Sequence, residues 1–206
     1  MSATIVGPDG QPRCPWTGAA PEFVAYHDAE WGFPIADDQR LFEKLCLESF
    51  QSGLSWRTIL AKRDNFRVAF HDFDIQRIAR FSATEVAQLL KDPGIVRHRG
   101  KIEAVVNNAQ RALELVDAHG SLANFIWRFE PDPAHLAEPQ TVSTSAEAVA
   151  LSKALKKQGW KFVGPTTVYA FMQAMGLIND HVDGCILRKE VEAARLSFQR
   201  PVQVVR

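Results

Sequence analysis

Four side chains suited to holding a metal stand near the two ends of this sequence. Cys14 and His27 are separated by twelve residues, and His181 and Cys185 by three. Two thiolates and two imidazoles suit tetrahedral zinc, and an i, i+4 histidine and cysteine on one helical face can reach a single ion. Four protein ligands would close the coordination shell and leave no place for an activated water, so such a site would be structural. It would staple the N-terminal segment to the last third of the chain and make folding depend on metal and on pH. The alternative is that both cysteines are small buried hydrophobes and the histidines serve otherwise. The third cysteine, Cys46, falls on the apolar side of a predicted helix and reads as core.

A second group combines rings with one carboxylate. Trp16, Phe23, Tyr26 and Trp31 lie around the first ligand pair, while Glu48 and Trp56 flank the break Gln51-Ser-Gly-Leu54. Stacking rings with a single negative group suit a flat, cationic, nitrogen-bearing ligand. Each ring could equally be ordinary core packing. A third feature is the segment Leu155 to Ala170, where one helix stops at Gly159 and another starts at Pro165. The turn at Val163-Gly164 would present unpaired N–H groups at a helix N-terminus, a site for an anion such as a DNA phosphate. Lys157, Lys161, Thr166 and Thr167 could add contacts. An ordinary connection between packed helices is the other reading.

Helices must position all three groups. Apolar spacing predicts one from Asp38 to Phe50, capped by Asp37 or Asp38, and a second capped by Ser55. Ser82 to Glu85 and Thr144 to Glu147 have capping-box spacing. A long helix follows Gly100, with Ile102, Val105, Val106, Ala109, Leu113 and Val116 along one side, and another runs near Ser121 to Phe129. Alternating strand patterns are nearly absent. The expected fold is all-α, with eight or so helices in two subdomains. The expected divisions are a flexible arm over 1–12, one domain over 13–190 and a tail over 191–206.

Composition restrains the function. The 206 residues carry 24 basic and 24 acidic side chains, so any nucleic-acid contact must be local. Two stretches, 93–102 and 151–179, hold basic residues and no acid. They could be solvated helix faces or the local contact. No apolar run approaches the roughly 18–20 residues that span a bilayer. The first eleven residues lack the order of a secretion signal, and an odd cysteine count argues against a disulfide framework. A cytoplasmic monomer is the expectation.

The chain resembles the 3-methyladenine DNA glycosylase I family. The resemblance rests on Arg13-Cys-Pro-Trp16, Ala25-Tyr-His-Asp-Ala-Glu-Trp-Gly32, Leu47-Glu48, Gly53-Leu-Ser-Trp56, Gly94 to Ile102, Ser152 to Lys157, Lys161-Phe-Val-Gly164 and Asn179-Asp-His-Val182. It implies a helix-hairpin-helix glycosylase that hydrolyses the glycosidic bond of 3-methyladenine in double-stranded DNA. No lysine placed for a Schiff base is evident, so a monofunctional enzyme without strand cleavage is expected. It implies zinc at Cys14, His27, His181 and Cys185, and Glu48 against the base with Trp16, Tyr26 and Trp56. Phe23 stands where the family often has tyrosine. Asp183 stands where the wider superfamily keeps a catalytic aspartate, so it is a candidate catalytic residue beside Glu48, or else a solvated residue between two zinc ligands. Gln51 and Leu54 become candidates to fill the gap left by a flipped base, and Lys161, Gly164, Thr166 and Thr167 to hold phosphate. Two other functions compete: a zinc-stapled DNA-binding module without chemistry, and a zinc hydrolase with an open coordination position.

Overall fold

A computed structural model describes residues 4–201. The fold is all-α as expected, apart from a two-residue ladder between β1 (Ile5–Val6) and β2 (Pro12–Arg13). The N-terminal segment is therefore no loose arm over 5–12. Gly7 N–H donates to Gln11 O, and Ile186 N–H donates to Pro12 O at 2.9 Å, tying it to the far end of the chain.

Helix α1 (Glu22–Ala29) leads into α2 (Asp38–Gln51), which Asp37 caps by accepting from Arg40 N–H at 2.8 Å. Every residue of α2 from Leu41 to Phe50 is buried. Helices surrounded on all sides are normally apolar throughout, yet α2 buries Glu43, Lys44, Glu48 and Ser49. Such groups persist only with partners. Glu43 meets Arg67 at 2.8 Å, Lys44 meets Glu48 at 2.7 Å, and Ser49 Oγ donates to Leu45 O and Phe162 O.

Ser55 caps α3 (Trp56–Leu60), and α4 (Arg63–Ala69), α5 (Ile75–Ile78) and α6 (Ala83–Leu89) follow. Phe50, Phe66, Phe70 and Phe73 are all fully buried here. The capping box at Ser82 forms as its spacing predicts. The one expected at Thr144 does not. Ser145 is the cap of α9 (Ala146–Lys157), accepting from Ala148 N–H, and this puts Glu147 one position too early to reach back.

The long helix is α7 (Arg99–His119), about 31 Å at 1.5 Å per residue. Its buried line runs through Ile102, Val105, Ala109, Ala112 and Leu115, slightly rotated from the expected one. Helix α8 (Leu122–Ile126) receives an unexpected cap, because Asp38 accepts from the N–H groups of Leu122 and Ala123 at 2.9 and 2.8 Å. Helix α10 (Pro165–Ala174) packs on both α9 and α2. Gly176, just beyond it at φ +77, is required: a Cβ there would lie 2.5 Å from Pro34 backbone atoms. The last helix, α11 (Arg188–Ser197), crosses the boundary expected at 190 and buries Val191 and Arg195, so the domain extends into the expected tail. Residues 1–3 and 202–206 of the expected arm and tail lie outside the described residues. Among those described, no helix is long and apolar enough to cross a membrane.

Asp38 joins the start of α2 to α8 through two charge-assisted hydrogen bonds. Asp38→Ala is expected to lower the unfolding free energy by about 1–3 kcal/mol. An unchanged urea midpoint would remove that role.

Candidate active site

Cys14, His27, His181 and Cys185 come together, all buried, with their donor atoms within 4.8 Å of one another. Cys185 Sγ lies 3.4 Å from His27 Nε2 and 3.6 Å from His181 Nδ1, and Cys14 Sγ lies 3.5 Å from His181 Nδ1. A tetrahedral ion with bonds of about 2.0 Å to nitrogen and 2.3 Å to sulfur would set its ligands roughly 3.3–3.8 Å apart. The outward ring nitrogens are also engaged. His27 Nδ1 is 2.7 Å from Asp28 Oδ1, and His181 Nε2 is 3.1 Å from Trp31 O. Such outer contacts fix tautomer and ring orientation in metal-ligating histidines. Gly32, at φ +90, permits the second, since a Cβ there would crowd His181 Nε2 at 3.1 Å.

One expectation fails in detail. His181 and Cys185 are not on a helix. They lie in an irregular segment where Gly184 takes φ +84 and Cys185 N–H donates to Val182 O. A turn, not helical i, i+4 spacing, makes them converge. The thiols are unequal. Contact with Cys185 and burial push the Cys14 thiol up, while hydrogen bonds from Cys14 and then from His181 and His27 hold Cys185 down. A dication could hold both sulfurs as thiolates. Burial opposes the charge of Asp28, but Arg13 and then His27 more than offset it and lower its pKa. Arg13 binds Asp28 through Nε and Nη2, at 2.6 to 3.0 Å.

The cluster adjoins a cavity of about 260 Å³. Its walls include Trp16, Phe23, Tyr26, Trp31 and Trp56, and Glu48 is the sole acidic residue among those lining it. Trp16 packs edge-on to His27, Phe23 and Trp31, with centroids 5.3, 5.7 and 5.2 Å away, and Trp31 stacks on His27. The cysteine–histidine cluster and the ring wall are thus one packed unit. The Trp56 indole N–H is buried without a hydrogen-bond partner among the described residues. Gln51 lines the cavity, and Leu54 stands exposed beyond it.

Sequence reasoning missed Lys44, although its i, i+4 spacing from Glu48 was a usable signal. Its Nζ is 2.7 Å from Glu48 Oε1, donates to Tyr26 Oη at 2.7 Å, and lies 3.5 Å over the Trp56 ring. Burial lowers the Lys44 pKa despite Glu48. Burial and then the charge of Glu48 hold the Tyr26 phenol well above its usual value, so it stays protonated.

Gln140 and Gln173 were also missed. Both line the cavity and both are held by Asp180. Its Oδ1 accepts from Gln140 N–H at 3.0 Å and its Oδ2 from Gln173 Nε2 at 2.6 Å. Burial raises the Asp180 pKa even so. Asp183 does not join them. Its side chain is 81% exposed and pairs with Arg188 at 2.9 Å, and it stands outside this cavity. The turn at Gly184 points it outward.

The hairpin between α9 and α10 is braced from behind. Asn107 Nδ2 donates to Gly159 O, Asn108 Nδ2 to Lys161 O, Ser49 Oγ to Phe162 O and Ser152 Oγ to Val163 O. Asn108 Oδ1 also accepts from Lys161 N–H at 2.9 Å. The carbonyls are drawn inward. At the start of α10, Val168 N–H bonds Gly164 O, so the amides of Thr166 and Thr167 precede the first helical hydrogen bond. A Cβ at Gly164 would meet nothing within 4 Å, so that approach is open. Lys161 and Phe162 are exposed at the tip, and Phe162 meets His98 edge-on at the start of α7. The basic stretch at 97–101 therefore adjoins the hairpin, with one correction. Lys101 is buried and donates to Phe50 O and Ser52 O, bracing the turn that carries Gln51 and Leu54.

These features define a mostly helical protein with a cavity walled by aromatic rings around one carboxylate, and a hairpin braced by side chains of other helices. The sequence model of the methyladenine glycosylase family matches residues 16–189, and the chain belongs to that family. DNA-3-methyladenine glycosylase 1 of Escherichia coli is 48% identical over 177 residues, covering 84% of this chain and 95% of that protein. DNA-3-methyladenine glycosylase of Haemophilus influenzae is 46% identical over the same length, covering 84% and 96%. A crystal structure of a 3-methyladenine DNA glycosylase I variant in complex with 3-methyladenine superposes with a TM-score of 0.80 at 38% identity, covering 85% of this chain and 97% of that one.

Asn108→Ala removes a two-way bond to the Lys161 backbone. It is expected to destabilise the hairpin by about 1–3 kcal/mol, seen as faster amide exchange over 160–164. Unchanged exchange there would show that the other braces suffice.

Proposed function

We propose that the protein is a monofunctional DNA-3-methyladenine glycosylase, acting on duplex DNA in the cytoplasm as a monomer. The observation that carries this reading is the slot: five aromatic side chains around a single carboxylate, in a fold that also carries a braced hairpin. At about 260 Å³ it lies near the lower end of ligand pockets, which run roughly 300–1,000 Å³, and suits one base. The named activity of the E. coli and H. influenzae relatives supports the same substrate.

A purine methylated at N3 in DNA is cationic, so its bond to C1′ is already weakened. The base leaves the duplex and enters between the rings, at a cost of a few kcal/mol in lost stacking. Glu48 accepts hydrogen bonds from its edge. Gln51 and Leu54 fill the vacated space, while the amides near Gly164, Thr166 and Thr167 and the Lys161 ammonium hold backbone phosphate. The electron pair of the breaking bond moves to the base, which departs uncharged, while water adds to C1′ and releases one proton to solvent, leaving a C1′ hydroxyl. The amine of Lys44 is engaged by Glu48 and Tyr26 and is absent from the slot's lining, which supports hydrolysis over Schiff-base strand cleavage. Phe23 supplies a ring edge without the hydroxyl of a tyrosine.

The metal-capable cluster fits a structural zinc joining the two ends of the domain. Cys14, His27, His181 and Cys185 would hold it with a closed shell, which disfavours a zinc hydrolase. Its contribution is to fix Trp16 and Trp31 in the wall of the slot.

Glu48→Gln is expected to slow 3-methyladenine release from alkylated DNA by roughly 10–100-fold in protein that still folds, with a lowered unfolding midpoint because Lys44 loses its buried counter-charge. Equal release rates would take Glu48 out of base recognition, and no release by wild type would leave only a DNA-binding module. For the metal, protein purified without chelator is expected to contain one zinc per chain, with X-ray absorption fitting two sulfur and two nitrogen neighbours. Stoichiometric absence of zinc would overturn the structural metal.

A further inference from the structure

Glu48 does not stand alone behind the slot. The other charges around it are already matched. Glu30 binds Arg63 at 2.7 and 2.9 Å, and Glu43 binds Arg67 at 2.8 Å. Lys44 and Glu48 are left to each other, both about 6% exposed, with 2.7 Å between Nζ and Oε1. Lys44 lies behind the ring wall, over Trp56 and against the Tyr26 hydroxyl. Helix stability does not explain the pair, since lysine preceding glutamate is the poorer order for i, i+4 partners. Burying an ammonium here is costly unless the carboxylate compensates it.

The chemical consequence concerns charge. A lone buried carboxylate would select a cationic base by simple attraction. The Lys44–Glu48 pair is neutral overall, so the attraction largely cancels at the distance of a bound base. One carboxylate oxygen is held by Lys44, and the other remains to accept from the base. Lys44 also donates to the Tyr26 oxygen, which leaves the phenol proton free to donate elsewhere. Hydrogen bonds and ring contacts survive where net charge does not.

We propose that Lys44 is a specificity-determining residue that neutralises Glu48, so that the slot accepts uncharged N3-alkylated purines about as well as cationic ones. Lys44 acts through Glu48 and does not touch the base. The inference rests on the reading of the slot as the base site.

The test uses two free ligands in mildly alkaline buffer: 3-methyladenine, which is uncharged there, and 3,9-dimethyladeninium, which is permanently cationic. Dissociation constants from titration calorimetry are compared for wild type, Lys44→Met, Lys44→Gln and Lys44→Arg, with thermal unfolding to confirm each fold. Wild type is expected to bind the two within about threefold of each other. Lys44→Met and Lys44→Gln shift the ratio toward the cation by about tenfold, and Lys44→Arg keeps the wild-type ratio. Glu48→Gln, which keeps an acceptor for Lys44, shifts it the opposite way and does not depend on a Lys44 variant folding. A ratio that stays fixed in folded Lys44→Gln or in Glu48→Gln overturns the proposal while leaving the base site standing. Failure of wild type to bind either ligand overturns both.

Discussion

Charge buried inside helix α2 is the constraint around which this molecule is arranged. A helix enclosed on every side would be easiest to stabilise with aliphatic residues alone. Here it carries Glu43, Lys44, Glu48 and Ser49, and the surrounding elements supply their partners. Arg67 of α4 reaches Glu43, Tyr26 of α1 receives Lys44, and Phe162 of the hairpin receives Ser49. Removing Glu48 would strand Lys44 in a dry interior, where an unpaired charge is far more costly than a lost contact. The same bonds that satisfy α2 therefore fix the ring wall and the hairpin relative to it.

Much of this was legible from spacing alone. The caps at Asp37, Ser55 and Ser82, the stop at Gly159 and the start at Pro165 are local signals, set by backbone hydrogen bonding within a few residues, and they are found where the sequence puts them. Helices α1, α4 and α11 were harder. Each is short, and what holds them is burial of residues such as Phe66 and Val191 against distant partners, which no window of sequence contains. The shift from Thr144 to Ser145 shows the same limit, because two adjacent hydroxyls compete for one cap and the backbone path chooses.

The site divides along the same line. The four metal-type residues, the rings and Glu48 could be picked out by type. Their convergence follows from tertiary paths, and for His181 and Cys185 the reason anticipated, a shared helical face, was not the one that operates. Asp183 looked chemical because of its place in a motif, yet the turn at Gly184 directs it away and leaves Asp180, one helix-turn earlier in number only, as the buried carboxylate that orients Gln140 and Gln173. Lys101 shows the converse. It was grouped with surface bases by composition, and its ammonium instead braces the turn after α2.

The contact between Cys14 and His181 spans 167 positions of the chain, and that between His27 and Cys185 spans 158. During synthesis the early members wait, without partners, until the late ones have cleared the ribosome. Trp16 and Trp31, which lean on those residues, cannot take their final places before then. Helix α2 also waits for the hairpin that receives Ser49, so the wall beside Glu48 is set only once residues 181–185 have emerged.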